Sequence, residues 1–112
     1  MQTIDLAASL EAITEQWSPR TVACVNDVDV KLVKFTGNFV WHHHEHEDEL
    51  FLVVRGRMTM HLRDRDVELT EGQMMVVPRG VEHRPESTEE CSVMLVEPRS
   101  TKRRGNLEDP AD

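Results

Sequence analysis

Hydrophobic residues recur at two different periods along this chain. Between Ile4 and Ile13 the apolar positions Ile4, Ala7, Leu10 and Ile13 return every third residue, with polar positions between. That pattern predicts a short amphipathic helix, capped by Thr3 or Asp5. Trp17-Ser18-Pro19 ends it, because a proline and the residue before it both disfavour helix. The segment is expected to act as a cover, with Trp17 packed on whatever core follows.

From about Val22 to Glu97 the period changes to two. Val30–Phe35, Asn38–His44, Glu49–Val54, Arg57–Arg63, Val67–Leu69, Gln73–Val77 and Cys91–Glu97 read as strands, being rich in β-branched and alternating apolar residues. Turn signals separate them: Thr36-Gly37, Arg55-Gly56, Asp64-Arg65-Asp66, Glu71-Gly72 and Pro78-Arg79-Gly80. Many short strands at close spacing predict an all-β antiparallel sandwich or barrel. After Glu97 the pattern stops. Pro98 to Asp112 holds Leu107 as its lone large apolar residue, so a tail lying over the surface or disordered is expected. The organisation read from the pattern is a helical segment over 1–21 packing on a barrel over 22–97, then a tail over 98–112.

Composition narrows the function. A chain of 112 residues has material for one core and not two. The formal net charge of −8 argues against nucleic acid, whose phosphates need clustered Lys and Arg, and against an anionic membrane surface. Lys102-Arg103-Arg104 is a basic triplet, but it precedes Glu108, Asp109 and Asp112 and is too small a patch for phosphate-backbone binding. No stretch approaches the ~20 apolar residues that span a bilayer. The N-terminus lacks a basic region followed by an apolar run, so a cytoplasmic location is expected. Cys24 and Cys91 lie far apart and outside any metal-type pair spacing; they are expected to be small buried hydrophobes, not a disulfide.

The chemistry concentrates in a run from Gly37 to Gly56 that contains Trp41-His42-His43-His44-Glu45-His46-Glu47-Asp48-Glu49. Strand alternation puts His42 and His44 on one face and Trp41 and His43 on the other. Two imidazoles on one face can converge on a single ion, and a hairpin would bring Glu49 back beside them. The pair His44 and His46 is the alternative register. His43 and His46 otherwise fall off that face or in the turn, and His61 opposes Met58, Met60 and Leu62, so all three are expected at the surface. A second segment runs Gly72-Gln73-Met74-Met75-Val76-Val77-Pro78-Arg79-Gly80-Val81-Glu82-His83. Its Pro-x-Gly turn can aim His83 inward, although spacing alone does not bring His83 to the first pair.

These two segments resemble the two signature motifs of the cupin superfamily: a Gly followed by His-x-His, a Glu and a closing Gly, then Gly-x5-Pro-x-Gly-x2-His. Here the first is Gly37, His42, His44, Glu49 and Gly56, and the second is Gly72, Pro78, Gly80 and His83. The run Trp41 to Gly56 is also similar to that of small single-domain bacterial cupins. Two positions depart from the pattern. Gly37 is one residue closer to His42 than usual, and Ser87 stands where the second motif normally closes with a structural Asn.

The resemblance implies a jelly-roll barrel, or double-stranded β-helix, with one divalent metal near a mouth, held by His42, His44, Glu49 and His83. Three neutral imidazoles and a carboxylate suit Fe, Mn, Co, Ni, Cu or Zn. Without the thiolates of closed structural zinc sites, such a centre keeps positions open for a ligand. By alternation Val40, Phe51, Val53, Met58 and Met60 would line a mostly apolar substrate pocket, with Arg79 and Arg84 flanking His83. The expected function is a metal-dependent enzyme of the oxygenase, isomerase or lyase class acting on a small molecule; the alternative is a non-catalytic metal- or metabolite-binding module. Exposed sheet edges favour pairing, so a homodimer is expected, with the N-terminal segment contributing to the contact.

Overall fold

A computed structural model describes residues 1–107; the tail charges Glu108, Asp109 and Asp112 lie outside the described residues. The chain forms one short helix, α1 (Leu6–Glu11), then β1 (Arg20–Val25), β2 (Val28–Asn38), β3 (Glu49–Arg55), β4 (Arg57–Leu62), β5 (Asp66–Thr70), β6 (Met74–Val77) and β7 (His83–Pro98). Asp5 is the N-cap of α1, its carboxylate accepting from the Ala8 amide at 3.1 Å. The helix is shorter than the apolar period predicts. Leu10 and Ile13 are buried and Leu6 packs beside them, but Ile4 is 47% exposed, so the helix begins only after it.

All strand pairs are antiparallel. One path runs β1-β2-β7-β3-β6, and β4 joins through β7 and carries β5. The 16-residue strand β7 makes this closure possible. Its first half pairs with β4, from Leu62↔His83 to Thr59↔Glu86, and its second half lies between β2 and β3. The sheet thus rolls up as the jelly-roll barrel expected from the sequence. Inward positions supply one core: Val33 and Phe35, Phe51 and Val53, Met58 and Met60, Val77, and Val93 and Leu95 are all buried. Among the described residues, no helix is long and apolar enough to cross a membrane.

Two boundaries differ from the periodicity. The expected strand Asn38–His44 is absent as such: β2 continues through Gly37 to Asn38, with a register shift between Phe35 and Gly37, and His42 then pairs in a single bridge with His83. The ladder resumes after the bulge for Gly37 and Asn38 only, and the chain then leaves it toward the barrel mouth. The expected strand Cys91–Glu97 is the second half of β7, whose first half, with its four charged residues Arg84, Glu86, Glu89 and Glu90, hides its alternation.

The outer face is also apolar. Register places Val76, Leu50, Val96 and Val30 in one row across β6, β3, β7 and β2, and Met74, Leu52, Met94 and Leu32 in the next. The α1 segment covers only one corner, with Leu10 and Ile13 over Leu32 and Met94 and Val54 beside them. Met74 and Val76 remain 61% and 52% exposed.

On β4, His61 is not a free surface residue: it sits between Glu86 and Asp66, the latter 2.7 Å from Nδ1. The Glu86 carboxylate, followed by that of Asp66, holds its pKa above the ordinary histidine value against partial desolvation. A raised folded-state pKa contributes stability below the unfolded value of about 6.5 and loses it as pH rises through the folded one. The stability gap between wild type and His61→Gln, read from urea unfolding, should therefore be wider at pH 6 than at pH 9.

Candidate metal centre

Three imidazoles meet at the barrel mouth because three local devices aim them. His42 and His83 face each other across their bridge, the amide of each donating to the carbonyl of the other at 3.1 and 2.9 Å. Gly80, at φ +80°, where a side chain would strain, lets the Pro-x-Gly turn donate its amide to the His44 carbonyl at 2.8 Å. The second motif is therefore docked on the backbone of the first. Asp48 locks the same turn, accepting from the Arg79 amide at 2.8 Å and from its guanidinium. Glu49 opens β3 opposite Val77, the last residue before Pro78.

One ligand atom from each of His42, His44 and His83 lies within 4.8 Å of the others, and all three residues are buried. Glu49 joins them, with Oε1 3.3 Å from His44 Nε2 and 3.5 Å from His83 Nε2. Donor atoms bound at ~2.1 Å to one ion stand ~3–4 Å apart, a spacing that Glu49 already keeps to His44 and His83. The tautomers are set as well. His42 Nδ1 donates to the Val40 carbonyl and His83 Nδ1 to the Val81 carbonyl, both at 2.9 Å, leaving each Nε2 lone pair to face the cluster.

Buried polar atoms nearly always have a partner, yet here His44 Nδ1 and Nε2, His83 Nε2 and Glu49 Oε1 have none in the protein. His44 Nε2, His83 Nε2 and Glu49 Oε1 lie together, and orphaned donor atoms of that chemistry fit a divalent transition metal. The electrostatics agree. Burial, then the neighbouring His83, lowers the His42 pKa to about 4, so its ring is neutral at physiological pH. Burial alone would raise Glu49, but contacts with His44, His83 and Glu97 outweigh it and hold its carboxyl well below the usual range.

His42 and Glu49 form part of the wall of a cavity of about 560 Å³. Phe51 is on that wall. Val53, Met58 and Met60 lie in the closed core, and Val40 is exposed, because the irregular stretch after Asn38 does not keep strand alternation. His46 is exposed and His43 half-buried; neither belongs to the cluster among the described residues. Ser87, in the place of the usual Asn, still closes its loop, its hydroxyl lying 2.9 Å from the Arg57 carbonyl and touching that of Glu89. Neither cysteine is bridged, and burial pushes the Cys91 thiol up to about 11, far from a nucleophile's range.

Alternation also puts charges on the inner face that sequence reasoning did not assign to a site. Lys31 and Glu97 line the cavity and form an ion pair of 2.9 Å, with Glu97 buried. Burial and the adjacent Glu49 hold the Glu97 carboxyl above its ordinary range, against the pull of Lys31. The signal was available: Lys31 precedes Val33 and Phe35 at inward spacing, and Glu97 follows Val93 and Leu95. Trp17 closes one side, stacked on Phe35 with 4.2 Å between ring centroids and on Phe39 at 5.0 Å. It holds φ +60°, a conformation costly for a bulky residue. Its amide and indole N–H, donating to Lys34 and Thr36 carbonyls, offset that cost.

The tail completes the mouth. Asn106 and His43 exchange hydrogen bonds of 2.8 Å in both directions, and Arg103 donates to the Trp17 carbonyl at 3.1 Å. Gly105, at φ +55°, passes so close that a Cβ there would stand 2.1 Å from the His43 carbonyl oxygen. Gly105→Ala should loosen the clasp by more than about 1 kcal/mol, or roughly fivefold in its opening. Tryptic cleavage after Lys102–Arg104 should accelerate accordingly while the barrel stays folded.

A rolled antiparallel barrel with a buried histidine cluster that could hold a metal ion at one mouth defines a class of small barrel proteins. The chain belongs to the cupin family: the model of the Cupin domain matches residues 28–97. The crystal structure of a cupin-2 domain-containing protein from Shewanella frigidimarina NCIMB 400 is 44% identical, with a TM-score of 0.84 over 86% of this chain and 94% of that one. Protein NMB1881 from Neisseria meningitidis is 37% identical with a TM-score of 0.80, covering 87% of this chain and 99% of that one. The uncharacterized protein YdbB of Bacillus subtilis (strain 168) is 33% identical over 84 residues, 74% of each chain.

Proposed function

We propose that this protein is a metal-dependent cupin that acts on a small organic molecule, with one divalent transition metal held by His42, His44, Glu49 and His83. The observation that carries the reading is the set of buried, partnerless donor atoms behind a cavity whose wall includes His42 and Glu49. When bound, a metal there would supply Lewis acidity or activate oxygen. The chain's own groups do the rest. Val40 and Val81 fix the two ring orientations, Phe51 and Trp17 exclude water from the wall, and Lys31 holds Glu97 facing the cavity as a hydrogen-bonding partner for a ligand hydroxyl. A structural ion needs no such cavity; a ligand does.

The metal-loaded protein should convert a member of a panel of catechols, dicarbonyls and sugars, followed by loss of substrate and mass of product. Tight binding of one compound without any turnover would instead establish the second reading, a metabolite-binding module. The apolar outer rows through Val76 and Met74 are, on this account, the surface on which two copies pair. Light scattering at micromolar concentration should return the mass of a dimer, and Val76→Glu that of a monomer.

A further inference from the structure

We propose that Lys102 and Arg103 are an anion-recognising pair at the cavity mouth, so that the ligand is a small organic carboxylate with an apolar body. The inference rests on the proposed function only in taking the cavity as the ligand site. The wall offers an apolar body Trp17, Phe39, Phe51 and Leu95, and both cationic side chains stand on the same lining. In a chain of net charge −8, their presence there is not a sampling of an average surface.

Their position is built. Thr101 is buried and its amide turns back to the Pro98 carbonyl at 2.9 Å. Downstream, the Asn106–His43 exchange and the close passage of Gly105 pin the chain. Residues 102 and 103 are held between these two anchors. Arg103 spends one N–H on the Trp17 carbonyl, leaving most of its five donors for another acceptor. Lys102 has no ion pair among the described residues.

The charges inside do not satisfy them. Lys31 and Glu97 are bound to each other, and Glu49 is turned to the histidines. Against the two cations of the mouth the floor leaves only the one carboxylate of Glu49, so mouth and floor together lack a negative charge with or without an ion. A carboxylate supplies it and accepts the free N–H groups, while the aromatic side takes the rest of the molecule.

Benzoate and its neutral isostere benzamide, titrated by saturation-transfer NMR and calorimetry, test this on the full chain. The proteins are wild type, Lys102→Gln and Lys102→Gln/Arg103→Gln, each with its metal content measured and again after chelation. Wild type should prefer benzoate by about tenfold, the worth of a charge-assisted hydrogen bond. The single variant should lose part of that preference and the double variant nearly all, with benzamide affinity unchanged. The preference should survive chelation. Equal affinity for the two probes, binding of neither, a preference intact in the double variant, or one that vanishes with the metal overturns the proposal. A sample that never holds metal would refute the metal reading instead, and the anion preference would still be measured.

Discussion

Replacing His83 by alanine should lower metal affinity by at least about 100-fold, since even the partners that orient a ligand are worth 10–100-fold. His83 is fully buried, its Nε2 faces the cluster without a protein partner, and its backbone bridges His42. The side chain can be removed while both backbone hydrogen bonds remain. The variant should therefore keep its fold, seen as unchanged far-ultraviolet circular dichroism, and lose only its ion, seen by competitive titration with a chromophoric chelator. His46→Ala, at an exposed position, should leave affinity unchanged. If the two variants behaved alike, the cluster would not be the binding site.

The second large effect concerns the wall. Phe35 is 2% exposed and stacked under Trp17 with rings tilted by only 16°. Phe35→Ala removes a buried aromatic from the core and should cost about 3–5 kcal/mol, a fall in melting temperature of more than about 10 °C for a domain of this size. Because Trp17 keeps its strained backbone only while the indole is seated, its fluorescence should also shift to the red. Phe35→Leu, which fills part of the volume, should lose less than half as much. Val25→Ala, exposed on β1 away from the apolar outer rows, should cost under about 1 kcal/mol. Equal losses at positions 35 and 25 would contradict the assignment of inside and outside to this sheet.

The strands of the barrel and the four-residue cluster were legible in the sequence for different physical reasons. Alternation of apolar residues reports which face is buried, and it placed Phe51, Val53, Met58 and Met60 inward correctly. It could not say which inward positions border a cavity and which are closed core, because that depends on how the barrel tapers. Val40 shows where alternation fails: the ladder shifts register at Gly37 and ends at Asn38, and the chain leaves period two just where the histidines begin. The convergence of His83 on His42 was legible only through the motif resemblance, since a 41-residue separation carries no local signal.

The rest of the cavity was illegible for another reason. Trp17, Lys102 and Arg103 come from the two ends of the chain, and no periodic pattern links a helix-terminating segment to a tail. A buried Glu97 beside Lys31 was readable in principle, because a charge at an inward strand position breaks the expected composition. Such breaks mark functional positions more often than they mark errors of register.

The most direct test of the account is the metal content of the protein, produced without a nickel column and analysed by inductively coupled plasma mass spectrometry. Wild type is predicted to carry about one equivalent of a divalent transition metal per chain, as a single-ion site requires, and His44→Ala next to none. Wild type that stays metal-free after incubation with each candidate ion, or His44→Ala with an equal load, would contradict it.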